Sequence, residues 1–336
     1  MNVAQFQDTA MRFLRFFLIF ILSYCRINGF YLSSEHHLCH VAEKKGAIQM
    51  DMAVNSADYH FNHSPESDKI AIDYIEVERK NNGTFYDAAW LQASEEWQRR
   101  KLKVSIPEGL LEEHVIAVLC YTSDLPPLYR NFNKAIRNYG VNDEIYSKCF
   151  HYKSLHYLLS VTLSILQKSA WRPDPGTRVY RGMDRRVQVS KGKNIRFGQF
   201  ASTSLDIMQS ITTFTNEETS SNTLFNITTA HGVSIQNLSF FRTEEEVLIP
   251  PHEVFKVTKV VDWEVEDGGL GVNIVLSSIG TQQTEVRLES DGPGHLRVVR
   301  VLEAPTLWWA SILIILLILL LALCIVFLKK RKLISG

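Results

Sequence analysis

Net charge, paired cysteines and nucleotide-binding glycine loops are all scarce in this 336-residue chain. Lysine plus arginine and aspartate plus glutamate each number 36, so the formal net charge is zero and no basic footprint for nucleic acid exists. Of five cysteines, Cys25 and Cys324 fall in apolar end segments, leaving Cys39, Cys120 and Cys149. An odd set leaves one over: Cys120 could bridge Cys149 with Cys39 free or intermolecular, or both could be buried thiols on helices. There is no Gly-x-Ser-x-Gly elbow and no phosphate loop. Asp267-Gly268-Gly269-Leu270-Gly271 lacks the strand-to-helix context of a dinucleotide fingerprint and reads as a hairpin turn. His36, His37, Cys39 and His40 lack the spaced pairs of a structural zinc site, so no metal is expected.

Long apolar runs are confined to the two ends. Arg12 and Arg15, the apolar stretch Phe16 to Tyr24 and the small polar residues around Asn28-Gly29 read as a secretory signal peptide over residues 1–29. Leu307 to Leu328 carries no charge, starts at Trp308 and Trp309 and is closed by Lys329-Lys330-Arg331-Lys332, the pattern of a transmembrane helix obeying the positive-inside rule. A lipid-anchor signal would end in its hydrophobic tail, whereas this chain continues with a basic octapeptide. The expected division is a signal peptide at 1–29, an ectodomain at 30–280, a membrane-proximal segment at 281–306, a span at 307–328 and a cytoplasmic tail at 329–336. The expected location is the cell surface or a secretory-pathway membrane, with the bulk outside or lumenal. Sequons at Asn62, Asn82, Asn226 and Asn237 fit that exposure.

Within the ectodomain the pattern changes near Trp171-Arg172-Pro173-Asp174-Pro175-Gly176. Before it, periodicity is helical: Glu95 and Glu96 precede Arg99 and Arg100 by four residues. Leu128, Phe132, Ala135, Ile136 and Tyr139 share a face that stops at Gly140, a candidate helix cap, and Phe150 to Leu166 is apolar-rich. After it come strand-like runs at Thr177–Tyr180, Phe197–Ser204, Thr223–Thr229, Val247–Ile249, Val254–Glu264 and Leu270–Leu276, with one helix over Asp206–Phe214. Helices first and strands later predict an α+β domain, the helical part packed on a strand-rich second half. Gly280 to Pro305 reads as an edge hairpin or a stalk.

Three short pieces of the strand-rich half occur in a telling order: Arg181 in Val179-Tyr180-Arg181-Gly182, Ser202 in Phe200-Ala201-Ser202-Thr203-Ser204, and Glu244-Glu245-Glu246 running into Val247-Leu248-Ile249-Pro250-Pro251. Together they resemble the arginine-serine-Glu-x-Glu signature of the arginine-specific ecto-mono-ADP-ribosyltransferases. Met50-Asp51-Met52-Ala53, Asn55-Ser56, Glu95-Glu96-Trp97, Tyr121-Thr122, Phe132-Asn133-Lys134-Ala135 and Arg196 to Ser202 look like family blocks in family order, so the likeness covers about Met50 to Leu276.

The chemistry suits these residues. Breaking the nicotinamide-ribose bond of NAD releases an already cationic leaving group and creates an oxocarbenium-like ribose, which needs a nearby carboxylate but no general acid; Glu246 is the candidate. The planar fork of Arg181 fits a phosphate, and the Ser202 hydroxyl can hold the ribose or orient the carboxylate. On an extended segment Glu244 would share a face with Glu246, where it could orient an acceptor guanidinium and relieve it of a proton.

The resemblance implies split sheets around an NAD cleft, with Arg181 on phosphate and ribose, Gly182 near nicotinamide, Ser202 beside the ribose, Glu246 catalytic and Glu244 recognising the target arginine. It implies NAD, or NADP, as co-substrate with no prosthetic group, and arginine-containing proteins as partners. Two family disulfides would fall at Gly176 with Ala230 and at His63 with the region of Gly280, so both are absent here. Two alternatives use the same fold: an NAD glycohydrolase, which does not require Glu244, and a catalytically silent surface protein.

Overall fold

The helical periodicity of the first half builds one layer, and the β-branched runs of the second half build the other. The computed structural model describes residues 39, 48–81, 83–214, 222–264, 270–292 and 295–301. The helices are α1 (Pro65–Asn81), α2 (Thr84–Arg100), α3 (Glu112–Thr122), α4 (Leu128–Asn138), α5 (Asp143–Cys149), α6 (Lys153–Gln167) and α7 (Ile207–Phe214). Every residue of α3 from His114 to Thr122 is buried, as expected of a central helix flanked on all sides; α2 and α6 pack against it. The amphipathic α4 buries Leu128, Phe132, Asn133, Ala135 and Ile136.

Gly140 is not a left-handed cap. Its amide donates to the Asn55 carbonyl at 2.9 Å, and a Cβ there would stand 2.1 Å from the Ala57 nitrogen. Close backbone approach by the 55–57 loop is what requires glycine at this position.

The strands are β1 (Ile48–Gln49), β2 (Tyr59–Phe61), β3 (Arg178–Met183), β4 (Val187–Gln188), β5 (Asn194–Ile195), β6 (Ala201–Ser204), β7 (Thr223–Thr228), β8 (Val233–Ser234), β9 (Glu246–Ile249), β10 (Glu253–Glu264), β11 (Leu270–Thr281), β12 (Thr284–Gly292) and β13 (His295–Arg300). Eight of them run in the order β5-β10-β11-β7-β3-β6-β9-β8. One join in that ladder is thin: β3 and β6 share a single pair, Tyr180 with Ser204, whereas β3 and β7 share six. The sheet is therefore split into two wings that part at β3 and β6. The fold is α+β with split sheets, as the sequence pattern and the resemblance predict.

Several expectations need correcting. Cys39 bridges Cys149, and Cys120 is a buried free thiol; α3 holds Cys120 inside the helical core, while Cys149 ends α5, where the incoming N-terminal segment reaches it. The stretch after Gly280 forms the hairpin β12–β13 at a sheet edge, the first of the two readings given for it, and β12 pairs in parallel with β2 through Val286 and Phe61. Val286, Leu288 and Leu296 join the helical core, so the folded unit runs past the 280 boundary to Val299. Of the second unit, Arg300–Gly336, the structure describes Arg300 and Val301 alone. The expected signal peptide, the span at 307–328, His36, His37, His40, Asn82 and the glycines 268–269 lie outside the described residues. Among the described residues, no helix is long and apolar enough to cross a membrane.

Candidate active site

The site forms where the two wings part. β9, with the sequence Glu-Val-Leu-Ile, is buried at every position. Val247 and Ile249 face the core between the sheets, and Leu248 faces the helical core. Alternation puts Glu246 on the face of Leu248, and the register opposes Leu248 to Ser202, so Glu246 and Ser202 both point at the helices. Pro250 and Pro251 then end the strand.

On the other wing, β3 carries Arg181. Its Nη1 donates to the Ser202 carbonyl at 2.6 Å, occupying the gap that the missing β3–β6 ladder leaves. Arg181 Nε is buried and has no protein partner, and Gly182 beside it is buried. Burial pushes the Arg181 pKa down, opposed by Tyr121, Tyr129 and Glu246. A second guanidinium, Arg137 on α4, stands near enough for its own pKa to be lowered by partial desolvation and by the Arg181 charge. Two neighbouring guanidiniums, one with an unused buried donor, suit a diphosphate.

Glu246 is 5 % exposed. Burial raises its pKa, while hydrogen bonds from Ser202 and Ser239 and the charge of Arg181 hold it down. Ser202 also bonds the hydroxyl of Tyr121, which donates to the Phe200 carbonyl at 3.1 Å and accepts from Asn133 Nδ2 at 3.0 Å. The Tyr121 phenol is pushed up to about 12, chiefly by burial. The helical layer thus holds the serine that holds the carboxylate.

Glu244 is not on an extended segment. It ends a one-turn 3-10 helix, Arg242–Glu244, and Glu245 takes a left-handed conformation (φ 47°, ψ 47°) before β9 begins at Glu246. The Glu-x-Glu pair owes its proximity to that kink and not to strand alternation. The turn is pinned from three sides. Ser204 Oγ donates to the Glu244 carbonyl at 2.7 Å, the Phe240 amide donates to Thr122 Oγ1 at 3.2 Å, and Arg100 Nη1 donates to the Ser239 carbonyl at 2.6 Å while stacking on Phe240. Burial, then the charges of Glu246 and Asp124, push the Glu244 pKa up to about 7.

The arrangement offers a buried carboxylate, a second one whose pKa is pushed up to about 7, and two neighbouring guanidiniums. Across residues 50–284 the sequence matches the family described as NAD:arginine ADP-ribosyltransferase. The chain belongs to this family. Among its relatives, the erythroblast NAD(P)(+)--arginine ADP-ribosyltransferase of Gallus gallus is 38% identical over 219 residues, 64% of this chain and 70% of that protein. NAD(P)(+)--arginine ADP-ribosyltransferase 1 of Gallus gallus is 34% identical over 237 residues, 70% and 72% of the two chains. In structure, a mutant of the eukaryotic mono-ADP-ribosyltransferase ART2.2 in complex with NADH matches with a TM-score of 0.58 at 28% identity, covering 71% of this chain and 98% of that one.

Arg181, Ser202, Glu246 and Glu244, the four residues that the sequence reading singles out, stand together where β3 and β6 part. That reading gave no role to Tyr121, Asn133, Ser239 or Arg137. Asn133 and Arg137 stand four apart on α4, so helical spacing could have put them on one face; Ser239 left no local signal. Of the sequons, Asn62 and Asn237 are exposed, and Asn226 is half-buried in the interior strand β7.

Proposed function

We propose that this transferase moves ADP-ribose from NAD to arginine side chains of extracellular or lumenal proteins, with Arg181, Ser202 and Glu246 acting on NAD and Glu244 on the acceptor. The observation that carries this assignment is the burial of Glu246 among Ser202, Ser239 and Arg181, with a second carboxylate held on the adjoining turn. Arg181 and Arg137 grip the diphosphate, and Gly182 leaves room for the nicotinamide end. The C1′–N bond breaks with its electron pair leaving on neutral nicotinamide. The Glu246 carboxylate stabilises the positive ribose carbon. A guanidinium nitrogen of the acceptor attacks C1′, and its proton passes to the Glu244 carboxylate.

The span at 307–328, the signal at 1–29 and sugars at the four sequons complete the proposal of a single-pass protein facing outward. The Cys39–Cys149 bridge supports an oxidising compartment. Alkaline carbonate extraction of cell membranes tests the anchor: release of the chain into the soluble fraction would refute a membrane span.

Nicotinamide release by the full-length protein, with and without a small guanidino acceptor, tests the chemistry. Formation of ADP-ribosyl-guanidine that is lost in Glu246→Gln and turns hydrolytic in Glu244→Gln is the expected result. Free ADP-ribose as the wild-type product, whatever the acceptor, would make the protein a glycohydrolase; no release at all would make it a silent surface protein.

A further inference from the structure

Away from the NAD cleft, at the opposite end of β9 from Glu246, lies a cavity of about 210 Å³. Its walls are one stripe of α6, including Ser160 and Gln167, and three histidines from distant parts of the chain: His60 on β2, His231 before β8 and His252 just after β9, with Lys168, just past the end of α6, at its edge. Three lining polar atoms, Ser160 Oγ, Gln167 Oε1 and His252 Nδ1, are buried with no hydrogen-bond partner in the protein. Buried polar atoms left unpaired are costly, so such a wall calls for a polar occupant; Ser160 Oγ and His252 Nδ1 can donate to it, whereas Gln167 Oε1 only accepts. The space is several times a water molecule's share of about 30 Å³.

The charge pattern selects the occupant. His60 Nδ1 lies 3.0 Å from Glu285 Oε2, which aims its Nε2 toward Ser164 at 3.4 Å. The carboxylate of Glu253 is consumed by Thr229 Oγ1 and by the amides of Ala230 and His231. Burial, then the charges of His60, His231 and Arg196, hold the His252 pKa down to about 3, and His252 in turn helps to lower that of His156 on α6. Lys168 stands exposed at the mouth. Among the described residues, no carboxylate lines the cavity. Metal coordination does not fit: the rings of His60 and His231 stand 6.1 and 6.5 Å from that of His252, edge to face, and among the described residues no three ligand-type side chains could hold an ion.

We infer that this cavity is a binding site for a small oxyanion, a phosphate or carboxylate group, held by His252, Ser160 and Lys168. Its negative charge offsets the cost of protonating His252, so binding takes up a proton and tightens as pH falls. Sulfate is the probe that isolates this effect, because its own charge is constant across the range where histidine titrates.

The test follows the histidine ring signals of the full-length protein by NMR during sulfate titration, at about pH 6 and about pH 8, with acetate as a second probe. We expect a saturable shift of the His252 ring, about tenfold tighter binding at the lower pH, and roughly tenfold weaker binding in His252→Gln. Lys168→Ala, an exposed position that leaves the cavity wall intact, weakens sulfate binding as well and covers the case in which the histidine variant does not fold. Absence of a saturable His252 shift, or equal binding in wild type and Lys168→Ala, would overturn the proposal and leave a cavity filled by water alone. Response to sulfate but not acetate would narrow the ligand to phosphate-like groups, and the reverse to carboxylates.

Discussion

Glu246 and Glu244 differ by environment more than by sequence. Burial raises the Glu246 pKa and the donors around it oppose that shift; Glu246→Gln removes the carboxylate while keeping its shape. Loss of about 10²–10³ in kcat, with NAD affinity nearly kept, is the outcome expected from rapid-quench and binding assays. Glu244 has a pKa near 7 in the free protein. Below that value it is protonated and cannot take the acceptor's proton, so kcat/KM for a guanidino acceptor should fall as pH drops through about 7, a limb that Glu244→Gln abolishes. The same shift has a stability sign. The folded state binds the Glu244 proton more tightly than the unfolded state (ordinary value 4.5), so the carboxylate destabilises the fold above about 7 and ceases to do so as pH falls toward 4.5. Glu244→Gln should accordingly raise the melting temperature at alkaline pH and leave it unchanged in acid, as a calorimetric pH series would show.

At the scale of elements, the decisive feature is that β3 and β6 part after one pair, and that α2, α3 and α4 supply what the parted strands lack. Arg100 shows the link. Its pair with Glu96 is the helix-surface pairing legible in the sequence, yet its guanidinium also holds the carbonyls of Ser239 and Phe240 beside the Glu244 turn. Arg100→Ala should raise KM for the guanidino acceptor about tenfold while leaving acceptor-free NAD hydrolysis within about twofold, because it frees the turn without touching the NAD contacts; equal loss of both activities would assign Arg100 a general structural role. Gly140 is a second joint. A methyl there meets the backbone of Ser56 and Ala57, so Gly140→Ala should cost about 3 kcal/mol in urea unfolding. The α4 face was legible from its period of 3.6, and so was the chain break at Gly140. The reason for glycine was not, since the partner loop is some eighty residues away in sequence.

For the whole molecule, two cores share the work, a larger one among the helices and a smaller one between the strands. The bridge from Cys39 to Cys149 closes a loop with a separation of 110 residues and ties the N-terminal segment to α5. Cys149→Ser should lower stability by about 2–5 kcal/mol, measured by denaturant unfolding, whereas Cys120→Ala acts only through a small buried cavity. β3 pairs with β7 as far as Arg178 and Thr228. Glu253, buried and bonded to Thr229, Ala230 and His231, ties down that end of β7.

The sequence by itself determined the class of fold and the family, and pointed to Arg181, Ser202, Glu244 and Glu246 as the proposed site, because periodicity and residue chemistry are local properties that survive without coordinates. It also set the end of β9 at Ile249, before Pro250. Tertiary structure decided the rest. It chose Cys39 over Cys120 as the partner of Cys149, turned the Glu-x-Glu pair on a left-handed kink at Glu245, drew Tyr121, Asn133, Arg137 and Ser239 around the catalytic groups and folded the segment after Gly280 onto β2. Each of these depends on contacts between residues far apart in the chain, whose free energy is set by burial and by which polar groups are left to be satisfied, and neither quantity exists until the chain has closed on itself.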